Sequence, residues 1–179
     1  MSQPHASENP SPAKASRRTF LKQSSAAVVG GSVAASLAIP RSVHAAGEGG
    51  FKLALIGCGG RGGGAVRDAF SVATGPVKLH AMADLTEDRI NRSHKALQDR
   101  FSDQVDVPSD RRFVGFDAYR HAIDCLRPGD VAMLTAYAYC RPGQMEYAVK
   151  KGVNVFMEKS FAADPPGARR VIAAGAEAE

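Results

Sequence analysis

Gly57, Gly59 and Gly62 stand at the spacing G-x-G-x-x-G within FKLALIGCGGRG, directly after the apolar run Leu53 to Ile56. A short strand that runs into such a turn and then into a helix can hold a pyrophosphate. The first glycine permits the turn, the second lets phosphates approach the backbone, and the third lets helix pack on strand. The helix adds free N–H groups and the positive end of its dipole. The cluster GCGGRGGG is so rich in glycine that a second register, Gly60-x-Gly62-x-x-Ala65, also fits. No Gly-Lys-Ser/Thr follows the glycines, which excludes a P-loop nucleoside triphosphatase.

Two further positions could do chemistry. Asp84 lies 22 residues beyond Gly62, at the tip of the alternating run VKLHAMA. A carboxylate there accepts hydrogen bonds from the adenosine ribose hydroxyls and repels a 2′-phosphate, which favours NAD over NADP. NADP stays open, because Arg89 is close enough in sequence to meet a 2′-phosphate. The competing role for Asp84 is a share in the N-cap of the next helix, beside Thr86. Lys159 follows the run Val153 to Met157. Ligands of open α/β sheets bind just past the strand ends, and a lysine there can steady an alkoxide or hold a substrate hydroxyl. Its competing role is that of a surface lysine paired with Glu158.

The elements that must position these residues alternate along the chain. Ala65 to Phe70 reads as helix after the glycine turn, and Val77 to Ala83 as the second strand. Thr86 to about Asp103 reads as a helix, with Thr86 as N-cap, Glu87 and Asp88 in its first turn, and Ile90, Leu97 and Phe101 near helical spacing. Val105 to Asp110 is a loop, and Arg112-Phe113-Val114 a short third strand. A helix from about Ala118 to Leu126 stops at Arg127-Pro128-Gly129. Asp130 to Ala136 is a strand apolar enough to be covered on both faces. A helix from about Gly143 to Lys151 ends at Gly152, Val153 to Met157 is the fifth strand, and a last helix runs from Gly167 after Asp164-Pro165-Pro166. Such alternation predicts an α/β fold, a Rossmann-type doubly wound parallel sheet, over 50–179.

Residues 1–45 read as a separate unit. Met1 to Ala15 is rich in Ser, Pro and Ala and is expected to be disordered. Ser16-Arg17-Arg18-Thr19-Phe20-Leu21-Lys22 precedes an uncharged run from Ser24 to Ile39, and Val43-His44-Ala45 supplies a small-residue cleavage site. Paired arginines, a soft apolar segment and a small-residue exit make a twin-arginine signal peptide, which implies the twin-arginine export machinery as partner and a periplasmic or otherwise exported protein. The apolar run is diluted by Gly30, Gly31, Ser32 and Ser36 and falls short of the ~20 residues that span a bilayer. An uncleaved signal anchor is the alternative. The net charge is +5, but Lys14, Arg17, Arg18, Lys22 and Arg41 against Glu8 place four of those charges in 1–45. The remainder is nearly neutral and gives no reason to invoke nucleic acid. Cys58, Cys125 and Cys140 show neither metal-ligand spacing nor a disulfide framework, and no metal site is expected. Cys58 is a small residue that fits the glycine loop.

With these residues in view, the chain resembles the glucose–fructose oxidoreductase, inositol dehydrogenase and MocA (Gfo/Idh/MocA) family of oxidoreductases. The resemblance rests on LIGCGGRG at 55–62, AMAD at 81–84, DVAMLTA with RP following at 141–142, and most specifically KKGVNVFMEKSFAADPPG at 150–167. It covers the mature chain but only the N-terminal half of a typical member. It implies an NAD(P)-binding domain of an exported oxidoreductase acting on a sugar or polyol by hydride transfer. Gly57, Gly59 and Gly62 would hold the pyrophosphate with the backbone around Gly60 and Arg61. Asp84 would hold the adenosine ribose, and Thr135 and Ala136 would border the nicotinamide ribose. Glu158 and Lys159 would lie beside the nicotinamide, with Lys159 as catalytic residue facing cofactor and substrate.

The chain departs from the family at three residues. Ser160 stands where most members have proline, so the loop that aims Lys159 is expected to be less rigid. Tyr137 and Tyr139 fall where many have Pro or His, and serve either stacking on a ligand or plain packing. The family continues into a second α/β domain that supplies a catalytic histidine and aspartate and often the oligomer interface. The chain is therefore expected to be an N-terminal fragment, truncated before that domain, with a homo-oligomer expected only of a full-length form. His80, His94 and His121 lie on elements away from the expected cleft and do not substitute. Two other classes remain: a non-catalytic nucleotide-binding module or remnant, and an S-adenosylmethionine-dependent enzyme or flavoprotein, neither of which has a role for Glu158-Lys159.

Overall fold

The computed structural model describes residues 50–178. The disordered N-terminus, the signal peptide with its uncharged apolar run and the cleavage site, all expected within 1–45, lie outside the described residues.

Five strands form one parallel sheet. They are β1 (Phe51–Ile56), β2 (Val77–Asp84), β3 (Arg112–Val114), β4 (Val131–Leu134) and β5 (Asn154–Met157). Their order across the sheet is β3-β2-β1-β4-β5, so the direction of winding reverses between β1 and β4. Each connection carries a helix: α1 (Gly60–Val72), α2 (Glu87–Gln98), α3 (Ala118–Asp124) and α4 (Arg141–Lys150), with α5 (Pro165–Glu177) after β5. This is the doubly wound arrangement expected from the alternation, and ligands of such sheets bind at the reversal, outside the carboxyl ends of the strands.

Side-chain alternation along β1 splits the core in two, because successive strand residues point to opposite faces. Leu53 and Leu55 join Val66 and Phe70 of α1 and Ile90 and Leu97 of α2 on one face. Ala54 and Ile56 join Ala122 and Ile123 of α3 and Ala148 of α4 on the other. Both faces are covered, which is why Leu53 to Ile56 is continuously apolar. The pairing of β1 with β2 slips between Leu53 and Ala54, leaving His80 without a partner on β1.

Several element ends differ from the sequence expectation, each for a local reason. Helix α1 starts at Gly60, inside the glycine cluster, with Gly59 as its extended N-cap. Helix α2 stops at Gln98 instead of near Asp103. Phe101 leaves the helix to pack against Phe70, with ring centroids 5.4 Å apart, and a 3-10 turn over Ser102–Gln104 follows. Thr86 stands at the N-cap of α2 but its side chain makes no capping bond. Helix α4 starts at Arg141 rather than Gly143, with Pro142 in the first turn, where a missing N–H costs nothing. Helix α5 starts at Pro165, capped by Asp164, whose carboxylate accepts from the N–H of Gly167 at 2.6 Å. Strand β4 ends at Leu134, which releases Thr135 and Ala136 from the sheet. No helix among the described residues is long and apolar enough to cross a membrane.

Candidate functional site

The site begins at the turn between β1 and α1. Gly57 has φ +98, a conformation that side chains disfavour, and a Cβ there would run into the backbone of Ala136. A Cβ on Gly62 would meet the carbonyl of Gly57 and lie 2.7 Å from Thr135 Oγ1. Only the register Gly57-x-Gly59-x-x-Gly62 therefore places a left-handed glycine at the strand end and a tightly packed one in the helix. Gly59 is different: a Cβ would meet nothing within 4 Å. Its bareness serves open space at the helix N-terminus, where a phosphate could sit.

Asp84 closes one end of this turn. Its side chain is buried, and its Oδ2 accepts from the N–H of Cys58 at 2.7 Å. Oδ1 accepts from the N–H of Thr86 at 3.2 Å and faces the guanidinium of Arg89 at 3.9 Å. The carboxylate thus organises the start of α2 and also lines the cleft. Helix α2 does turn Arg89 toward Asp84. Cys58 is buried beside that carboxylate; burial, and then Asp84, push its thiol far above the ordinary cysteine range, so it stays protonated.

The other end of the cleft is built from the ends of β4 and β5. Thr135 donates its hydroxyl to the Gly57 carbonyl at 2.6 Å, which ties the β4 end to the glycine turn. Ala136 packs against Gly57 and lines the cleft. Glu158 does not pair with the Lys159 ammonium. Its carboxylate forms an ion pair with Arg61 across the glycine turn and accepts from the backbone N–H of Lys159 at 3.2 Å. Lys159 is exposed, lines the cleft, and has no carboxylate within ion-pair distance among the described residues.

Arg141 is the residue whose role sequence reasoning missed. It is 5% exposed, and its guanidinium donates to three backbone carbonyls: Ala136 at 2.8 Å, Glu158 at 2.5 Å, and Ser160. The last two flank Lys159, so one side chain fixes both the loop after β4 and the loop that carries the lysine. Burial lowers the arginine's pKa. The available signal was its position: a cation in the first turn of a helix opposes the dipole and needs another reason to be there.

Gly57, Cys58, Gly59, Gly60, Arg61, Asp84, Thr135, Ala136 and Lys159 line one cleft of about 1030 Å³. Gly62 supports it through its packing, and Glu158 through Arg61. Tyr137 and Tyr139 are exposed and stack on each other at 5.7 Å, with Arg89 over Tyr137 at 5.9 Å, so they form a rim and do not fill the core. His80 contacts Arg111 and Asp106, His94 lies 2.9 Å from Arg112, and His121 packs on Phe113, all outside the cleft. Among the described residues no group of three or more His, Cys, Asp or Glu could hold a metal ion.

No protein-family model and no curated protein matches the chain. Solved structures do. A myo-inositol 2-dehydrogenase from Lactobacillus plantarum superposes with a TM-score of 0.52 at 20% identity, over 70% of this chain and 33% of that one. An oxidoreductase from Thermotoga maritima gives 0.54 at 18%, over 72% and 36%. A scyllo-inositol dehydrogenase from Lactobacillus casei, with bound NAD(H) and scyllo-inositol, gives 0.53 at 20%, over 72% and 33%. These likenesses are of fold: the doubly wound α/β architecture is shared. The chain spans about a third of the length of these structures.

Proposed function

We propose that residues 50–178 form the cofactor half of an exported oxidoreductase of the Gfo/Idh/MocA type, binding NAD and acting on a carbinol of a sugar or polyol. The observation that carries this is the bond from Cys58 N–H to Asp84 at 2.7 Å. It joins the glycine turn to Asp84, and both line one cleft with Lys159. The open face of Gly59 fits a pyrophosphate, and Asp84 retains acceptor capacity beyond its two backbone bonds. The inositol dehydrogenases that share the fold support the substrate class.

When bound, the nicotinamide ring supplies the hydride acceptor. This chain's own residues then act as follows. The N–H groups at the start of α1 and the helix dipole hold the pyrophosphate, and Asp84 holds ribose hydroxyls. Arg141 fixes the backbone on either side of Lys159, and Lys159 hydrogen-bonds the substrate hydroxyl and steadies negative charge on its oxygen. NADP remains the second cofactor to test, because Arg89 faces Asp84 at 3.9 Å. Calorimetric titration of NAD and NADP into the protein tests the cofactor, and NADH production over a panel of sugars and cyclitols tests the reaction. Tighter binding of NAD than of NADP is expected, and any NADH production should depend on Lys159. Binding of neither dinucleotide would overturn the cofactor assignment, and equal affinity for both would count against Asp84.

A further inference from the structure

Arg89 and Tyr137 meet across the cleft. Arg89 Nη2 donates to the Tyr137 hydroxyl at 3.4 Å, and the guanidinium lies over the tyrosine ring at 5.9 Å. The two residues come from opposite sides of the glycine turn. Arg89 is in the first turn of α2, after β2, and Tyr137 is in the loop after β4. Strand β1 lies between β2 and β4 in the sheet. Neighbouring strands are about 4.8 Å apart, so the ends of β2 and β4 stand roughly 10 Å apart. A contact between side chains from those two ends therefore spans the end of β1, where Gly57 opens the turn.

The two halves of this contact are held differently. Tyr137 is a fixed post. Its ring stacks within 5° of parallel on Tyr139, its carbonyl accepts from the N–H of Cys140 at 3.0 Å, and the Ala136 carbonyl before it accepts from Arg141 at 2.8 Å. Arg89 is an arm. Its Nη1 faces Asp84 at 3.9 Å, and its side chain is 41% exposed. Both residues line the cleft, and Tyr137 is 53% exposed. Each thus has one side toward the cleft and another toward solvent, as a strap across an opening does. An exposed cation–π contact and a long hydrogen bond are weak, so the arm can leave the post without disturbing the fold.

A dinucleotide that runs from Asp84 to Lys159 must pass the glycine turn, and so must cross beneath this contact. We propose that Arg89 and Tyr137 form a strap over the bound pyrophosphate, which opens to admit the dinucleotide and again to release it. The proposal rests on the dinucleotide-binding function proposed above. A strap has a kinetic signature that a simple contact lacks. Loss of a contact speeds release alone, because affinity changes among variants of one site fall mostly on the dissociation rate. Loss of a strap speeds entry and release together and leaves their ratio nearly unchanged, because the ligand passes through the open form in both directions.

The test follows NADH fluorescence by stopped flow, on the full chain and on Tyr137→Ala. Association is read from the dependence of the observed rate on NADH concentration, and dissociation from displacement by excess NAD. Both rate constants are expected to rise about threefold in the variant, with the dissociation constant nearly unchanged. Circular dichroism melting establishes that the variant folds. Should it not, Arg89→Gln opens the strap from its other end. That variant is compared with the unmodified chain at about 1 M salt, where the Debye length is about 3 Å and the lost charge no longer steers the ligand. A rise in dissociation alone makes Tyr137 a ligand contact and overturns the strap, as do unchanged rate constants; both results leave the dinucleotide site standing. Failure of NADH to bind overturns the strap together with the function on which it rests.

Discussion

Asp84 bonds two backbone N–H groups and faces one guanidinium, so its substitution has two separable effects. Asp84→Ser should cost roughly 1.5–3 kcal/mol of NAD binding and narrow the gap to NADP, because a charge-assisted acceptor and a repulsive charge are lost together. It should also loosen the glycine turn, seen as faster hydrogen exchange at Cys58. Arg141→Lys keeps the charge but cannot span three carbonyls. A loss of roughly 1.5–3 kcal/mol of stability is expected, with the exchange protection of residues 158–160 falling most. His80 gives a pH prediction. Burial, then Arg111 and Lys52, hold its pKa below the ordinary histidine value, against an opposing pull from Asp106. As pH falls through about 6.5 the unfolded chain takes up the proton first, so stability present above that pH is progressively lost below it. His94, lowered by burial and by Arg112, adds to the same slope. Thermal melts between pH 7.5 and 5.5 should show a falling midpoint that flattens in the double variant His80→Asn, His94→Asn. The glycines and Asp84 were legible because their chemistry is local to one strand-turn-helix unit and a fixed spacing. Arg141 and the Arg61–Glu158 pair were not, because both depend on which loops the sheet order brings together.

The elements show the same division. Strand β1 was readable because a strand buried on both faces must be apolar throughout, and the alternation of β and α fixed the parallel sheet. Helix ends were less readable. Nothing in the pattern around Leu97 and Phe101 says that the chain leaves the helix between them, since the reason is the packing of Phe101 on Phe70. The glycine turn is the element most sensitive to change. Gly62→Ala places a methyl against the Gly57 carbonyl, and neither partner is the end of a flexible side chain. The variant should lose both nucleotide binding and stability, whereas Gly59→Ala, which meets nothing, should lose binding alone. Leu55 is wholly buried, and Leu55→Ala should cost about 2–5 kcal/mol without touching the cleft. Comparing Gly59→Ala with Leu55→Ala by melting and calorimetry separates a ligand cradle from a core.

At the scale of the whole molecule, export directed by residues 1–45 stands as a proposal and needs its own experiment. Replacing Arg17 and Arg18 by lysine should hold the precursor inside the cell; unchanged export of that variant would show that another route carries it. The protein should fold and bind its cofactor before transport, because the cofactor is made in the cytoplasm. The sequence made the doubly wound sheet readable through its periodicity, whereas which loops meet at the strand ends has no period and follows from the strand order.

The ion pair between Arg61 and Glu158 bears on how long a ligand stays. Arg61 is exposed beside the glycine turn, while Glu158 is mostly buried and anchored at the end of β5. In the complex proposed above, an incoming pyrophosphate would have to draw the guanidinium away from a carboxylate that waits to reclaim it. The carboxylate thus acts as a standing competitor, and departure of the ligand is assisted by a partner already in place. Glu158→Gln removes that competition. Stopped-flow displacement should find the dissociation rate of NAD lower in the variant, so the same pair that weakens binding would let spent cofactor leave sooner.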